Sequence, residues 1–346
     1  MRILPGLIDP HVHFRTPGQT HKEDFITGTK AAIAGGFTFV IDMPNNKSPI
    51  INYKLLVEKK KIAAKQILCD VGFHFGSLGD NLDEFEKVQG KVLGLKLYLN
   101  QTTGGFIIDK KNLEKIFKAW PYGKPILVHA EEDVIDLVIS VCQKTKKKTH
   151  ICHVSSREEL EKIIKAKGKG LSITCGVTPH HLFLTEKDVR KLKSFGMMKP
   201  PVYDGFKKFV WKNLKHIDCI ESDHAPYTVE EKESENFPFG VPNLETTLGL
   251  LLTAHSGGLI SIKDIVRLCH DGPAKIFGIK QDARIEVDES EEWIVKGNDL
   301  QTKCKWSPYE GWKLKGKVKK VYIRNKLVFD NGKFLVKPSF ARVLSS

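Results

Sequence analysis

The sequence has no CxxC pair, no apolar leader, no low-complexity stretch and no apolar run long enough to cross a bilayer. The seven cysteines are odd in number, and several sit inside apolar runs such as LCDVGF, ITCGV and IDCIESD. That usage excludes a disulfide scaffold and reads as buried free thiols in a reducing compartment. The opening MRILPGLIDPH carries no h-region of a secretory signal. The most apolar segment, Leu244 to Ala254, is broken by Glu245 and threonines and is too short for a membrane span. A soluble, cytoplasmic protein is expected, with no membrane partner. Ordinary composition excludes disorder, collagen and coiled coil.

Acidic residues are in the minority: 55 Lys and Arg face 41 Asp and Glu, a formal charge of +14. Such a surplus raises the question of a nucleic-acid partner. The lysines, however, recur at 59–61, 110–118, 144–148, 162–169, 187–193, 207–215 and 313–320. These are stretches of helical or connecting character spread along the chain, not basic residues gathered with aromatics on one motif. The spacing predicts a solvated outer coat, not a nucleic-acid groove.

Along the 346 residues, short β-branched runs alternate with helical patterns. The runs are Leu7–Phe14, Phe37–Asp42, Ile67–His74, Val92–Leu99, Pro125–His129, Thr149–Val154, Leu171–Val177 and Ile217–Asp223. Most are continuously apolar, as parallel strands buried on both faces are. Helices are expected over Asp24–Ala34, Leu55–Lys65, Asn112–Ala119, Val134–Gln143 and Glu158–Lys167. Eight such repeats predict an α/β fold, a (β/α)₈ barrel over residues 1–280, with its active site at the C-terminal strand ends. From about residue 281 to 346 short strands and the turns Asn325-Lys326 and Asp330-Asn331-Gly332 predict a small β appendage.

The strand ends carry the chemistry. His11 and His13 alternate with Val12 and so share one face of the first strand. Two imidazoles there can ligate a metal, although an HxH alone reads equally well as two polar residues at a strand mouth. Further ends add Lys96 in GLKLYLN, His129 in HAE, His153 in HICHVS and Asp223 in SDHAP. A cationic amine beside metal ligands is electrostatically wrong. Lys96 becomes intelligible if CO₂ converts it to a carbamate, which replaces the cation with a bridging carboxylate.

These motifs, together with PGQTHKEDF, MPN, PHHLFL and NLETTLGLLLTA, run in order over nearly the whole chain. They resemble the amidohydrolase superfamily, and within it the dihydroorotases of the animal-type multifunctional pyrimidine-synthesis protein. The resemblance implies two zinc ions. His11, His13 and Asp223 would hold one, His129 and His153 the other, and carboxylated Lys96 would bridge them. It further implies a hydroxide between the metals as nucleophile and Asp223 as general base. Arg15, Asn45, Thr102, Lys199, Tyr227 and Gly240 match substrate-binding positions, with Thr102 on a loop, Asn100–Phe106, that closes over the substrate. The implied partners are dihydroorotate or carbamoyl aspartate, a second copy of the chain, and aspartate transcarbamoylase.

Three positions depart from the pattern. Tyr227 stands where the family has a substrate-binding His, and Lys199 where it has an Arg. Gly176 replaces a Glu associated with an additional zinc near the position of Cys152. No third metal is therefore expected, and Cys152 reads as an inert buried thiol. Among the remaining residues, His180 and His181 are expected to stack or cap, and Glu131 to orient His129. A different cyclic amidohydrolase, of dihydropyrimidinase, hydantoinase or allantoinase type, and a non-catalytic assembly partner are the alternatives.

Overall fold

Eight of the apolar runs become the parallel strands of one closed sheet in the computed structural model, which describes residues 1–102 and 106–345. After a short strand β1 (Arg2–Pro5) these are β2 (Leu7–Val12), β3 (Phe37–Asp42), β4 (Asp70–Gly76) and β5 (Gly94–Tyr98). They continue as β6 (Ile126–His129), β7 (Thr149–Ile151), β8 (Ile173–Val177) and β9 (Cys219–Ile220), in sequential order around the sheet. Almost every strand residue is buried, because helices cover the outer face and side chains fill the inner one. Closure is made by the segment after β9: the His13 N–H donates to the His224 carbonyl at 2.9 Å, and Val12 bridges His224.

The helices begin where side chains can satisfy free N–H groups. Asp24 and Thr27 form a capping box at helix Phe25–Ala34, and Ser156 and Glu159 form another at Arg157–Gly168. The connection from β4 to β5 holds only a single turn of α-helix, Phe85–Val88, between 3₁₀ turns.

The appendage is an antiparallel sheet of β10 (Ala283–Ile294), β11 (Lys313–Ile323), β12 (Lys326–Asp330) and β13 (Lys333–Phe334). It also takes in β1, which pairs along β10 from Arg2 opposite Val287 to Pro5 opposite Arg284. A division at residue 280 leaves those four residues with the barrel. Their pairing partner lies some 280 positions away, beyond the reach of local patterning. Gly6 marks the crossing from one sheet to the other, since a Cβ there would sit 2.1 Å from Thr38 Oγ1.

The appendage is tied to the strand ends through Glu23. Its buried carboxylate accepts from Thr302 Oγ1 at 2.6 Å and lies 3.3 Å from His224 Nε2. Among the described residues, no helix is long and apolar enough to cross a membrane.

Candidate metal centre

At the C-terminal ends of the strands the structure brings the sequence-predicted residues onto one small cavity. His11, His13, Arg15 and Asn45 line it from the first two barrel strands, and Thr102, His129 and His153 from the middle ones. Lys199, Asp223, Tyr227 and Gly240 complete the wall. Lys96 lies beneath it, fully buried. Thr103, Gly104 and Gly105 of the expected closing loop lie outside the described residues. A larger cleft of about 700 Å³, where the appendage meets the barrel beside Trp293 and Leu248, contains none of these groups.

Strand geometry explains the convergence. His11 and His13 face the same way with ring centroids 5.3 Å apart, and His153 lies 5.2 Å from His11. Three residues of the site, Arg15, His153 and Asp223, have left-handed backbones, with φ of 59°, 39° and 44°. None is glycine, and a side chain is held in such a region only where surrounding structure enforces it.

The donor atoms fit a cation. Asp223 Oδ1 lies 3.0 Å from His13 Nε2 and 3.4 Å from His11 Nε2. His129 Nδ1 and His153 Nε2 point at each other at 3.1 Å. Tetrahedral ligands about 2.0–2.1 Å from zinc stand about 3.3 Å from one another, so both spacings suit shared ligation. The other ring nitrogens of His11, His13 and His129 are anchored, as ligating histidines require, whereas His153 Nδ1 is buried without a hydrogen-bond partner among the described residues. His13 Nδ1 meets Asn45 Oδ1 at 2.7 Å, and His129 Nε2 meets Glu131 Oε1 at 2.9 Å.

Electrostatics point the same way. Burial pushes His13 down to about 3 and also lowers His129 and His153, so the imidazoles are neutral and carry lone pairs. Burial acts to raise the Asp223 pKa, but the His11 and His13 imidazoles outweigh it and hold the carboxyl well below its usual range. Lys96 Nζ sits 3.1 Å from Cys152 Sγ and 4.9 Å from the centroid of the Tyr98 ring. Burial drives the Cys152 thiol far above its ordinary pKa, and all seven cysteines are free and buried.

On the substrate side, Tyr227 presents its ring to two cations. Arg15 stands 4.5 Å from the ring centroid and Lys22 4.4 Å. Lys22 is also paired with Glu231 at 3.0 Å. Gly240, at φ 138°, passes so close that a Cβ would meet Tyr227 Cε2 at 3.0 Å. Asn45 spends its carbonyl oxygen on His13, which leaves its amide N–H groups for a ligand.

Residues outside the centre have structural partners. His181 Nδ1 meets Thr178 Oγ1 at 2.7 Å, and its Nε2 faces the Pro200 carbonyl. His180 Nδ1 meets Asn243 Nδ2 at 2.9 Å, and His74 Nε2 meets the Pro10 carbonyl at 3.1 Å.

Two residues in or beside the site escape the sequence reading. Lys22 was indistinguishable from the general lysine surplus. Glu221 is a carboxylate one position past β9 with no solvent exposure; its one visible signal is an acid inside the apolar run IDCIESD.

A parallel barrel with imidazoles and carboxylates gathered at its C-terminal mouth is the architecture of metal-dependent hydrolases. Residues 2–193 match the amidohydrolase family. The chain is 39% identical over 99% of its length to the dihydroorotase of Pyrococcus horikoshii, covering 84% of that protein. It is also 42% identical over 98% of its length to the multifunctional protein CAD of Squalus acanthias, of which it spans 15%. Among solved structures, L-hydantoinase of Arthrobacter aurescens superposes with a TM-score of 0.95 at 23% identity, covering 99% of this chain and 89% of that one. The inactive dihydroorotase-like domain of the CAD-like multifunctional protein of Chaetomium thermophilum superposes with a TM-score of 0.85 at 25% identity, covering 99% of both chains. The chain belongs to the amidohydrolase family and, within it, to the dihydroorotases.

Proposed function

We propose that this chain is a zinc-dependent dihydroorotase that interconverts N-carbamoyl-L-aspartate and L-dihydroorotate in de novo pyrimidine synthesis. The observation that carries the reading is the complete convergence of four imidazoles, Lys96 and Asp223 with Arg15 on the same wall. His11, His13 and Asp223 would hold one zinc, His129 and His153 the other, with carboxylated Lys96 between them. Two zinc ions bound there would acidify a water at neutral pH and polarise the ring carbonyl.

The chain's own groups supply the rest. Arg15 meets the substrate carboxylate with its planar fork, Asn45 donates from its amide, and Lys199 adds charge. Thr102 closes the mouth and excludes water. Asp223 takes the proton of the attacking water and returns it to the ring nitrogen as the C–N bond breaks.

Zinc-loaded protein should bind about two zinc per chain and open dihydroorotate at pH 8. Absence of ring opening, with zinc bound, overturns the assignment. Absence of zinc instead favours a non-catalytic partner. Tyr227 in place of an imidazole favours a second reading, a hydantoinase-like enzyme for uncharged rings. Arg15 opposes it, because a buried cation aimed at a neutral ring has no counter-charge there. A panel of dihydroorotate, dihydrouracil, hydantoin and allantoin separates the two. The same reading includes a homodimer and contact with aspartate transcarbamoylase, both tested by sedimentation with and without that enzyme.

Because its ring faces Arg15, Tyr227 is expected to serve the substrate through that guanidinium. Cation–π contact contributes about 0.5–2 kcal/mol. Tyr227→Leu should therefore raise KM for dihydroorotate about tenfold, while Tyr227→Phe keeps it within about threefold. A Phe variant as weak as the Leu variant would assign the contact to the hydroxyl.

A further inference from the structure

Glu221 is a fully buried carboxylate with imidazole and backbone partners. Its Oε2 lies 3.3 Å from His11 Nδ1 and 3.5 Å from His150 Nε2. Its Oε1 accepts from the backbone N–H of His153. The room it occupies exists because residue 176 is glycine: a Cβ there would meet Glu221 Oε1 at 2.5 Å and Cδ at 2.6 Å. Gly176 and Glu221 are thus one feature, a carboxylate from β9 filling the space left open on β8.

The His11 ring spans two carboxylates. Nδ1 faces Glu221 at 3.3 Å, and Nε2 faces Asp223 at 3.4 Å. An imidazole can ligate through Nε2 only if the proton resides on Nδ1, and an acceptor at Nδ1 selects that tautomer. The same carboxylate grips the backbone of His153, whose φ of 39° turns its ring toward His129.

We propose that Glu221 is a positioning residue for the metal centre: it fixes the His11 tautomer and the left-handed turn at His153, and so sets one ligand of each metal position. This rests on the ligand assignment under the proposed function. Cys152 and His150 also approach Glu221, with one ligand atom of each of the three within 4.8 Å of the others. The carboxylate is nevertheless already engaged by N–H donors on both oxygens, which is the state of an orienting group.

The test compares wild type, Glu221→Gln and Gly176→Ala. The first removes the charge and one acceptor oxygen; the second keeps the carboxylate but pushes it off His11. Both should lower zinc affinity, read by competition with a chromophoric chelator, about 10–100-fold. Both should also shift the visible band of the cobalt-substituted protein. kcat should fall while KM for dihydroorotate holds. Wild-type zinc affinity and an unchanged cobalt spectrum in either folded variant would overturn the proposal. Three zinc per wild-type chain, falling to two in Glu221→Gln, would also overturn it by making Glu221 a ligand. Zinc affinity and the cobalt spectrum are read without turnover, so failure to open dihydroorotate would count against the proposed function and leave this test standing.

Discussion

Lys96→Ala and Lys96→Arg should each lose ring opening by about 10³-fold or more, together with zinc, because they remove the group proposed to bridge the centre. The expectation follows from where the amine sits. Lys96 is fully buried, with a thiol at 3.1 Å and an aromatic ring centroid at 4.9 Å. The neighbouring imidazoles are held neutral by burial and, as bases, could in any case supply no negative charge. Two divalent cations beside an ammonium would bring five positive charges to a site whose imidazoles meet the carboxylates of Asp223, Glu221 and Glu131, too little negative charge to balance them. Loss of one proton from the ammonium, then reaction of the neutral amine with CO₂ and loss of a second proton, gives a carbamate and changes the residue from +1 to −1. Arginine preserves bulk and charge but cannot make that change, so it should fail as completely as alanine. Wild-type protein stripped of zinc and CO₂ should regain zinc binding only when both zinc and bicarbonate are returned, with a mass gain of one CO₂ by native mass spectrometry. Reconstitution by zinc alone in CO₂-free buffer would refute the carbamate.

The barrel was legible because each strand is buried on both faces and therefore uninterruptedly apolar. Phe37–Asp42 is strand to the residue, and Asp24, the expected start of the first helix, caps it. Some strand ends shifted where chemistry intervenes. The final barrel run, read as Ile217–Asp223, pairs only over Cys219–Ile220. Beyond it the chain is bent by Asp223 at φ 44°. The pairing of Arg2–Pro5 with β10 escaped because it depends on a partner far along the chain.

The converging residues were legible because histidine, lysine or aspartate recurs at the ends of five of the eight barrel strands. Their supports were less so. Gly176 reads in sequence as a lost carboxylate; only the fold shows Glu221 entering the same space from the neighbouring strand. Tyr227 stands out in sequence only as a departure from the family's His; the fold shows its ring in contact with two cations. Both supports escape the sequence for one cause: the partner residue is distant along the chain.

Asp223→Asn should lower kcat about 10²–10⁴-fold, the usual contribution of a placed acid–base group, with little change in KM. The side chain is 12% exposed, at the edge of the cavity where a water and the ring nitrogen can both reach it. Burial opposes its charge, yet His11 and His13 keep it ionised well below neutral pH, so it is ready to accept a proton throughout the working range. Asparagine keeps the shape and one acceptor oxygen, and can still face His13, but cannot carry the proton from water to leaving nitrogen. Solvent hydroxide must then replace it, and the residual rate should climb about tenfold per pH unit, while wild type levels off. Zinc content separates the two roles proposed for this residue. Two zinc per chain with a depressed, hydroxide-dependent rate assigns the loss to proton transfer. Zinc falling in parallel with kcat, with no new pH dependence, assigns it to ligation and removes Asp223 as the base.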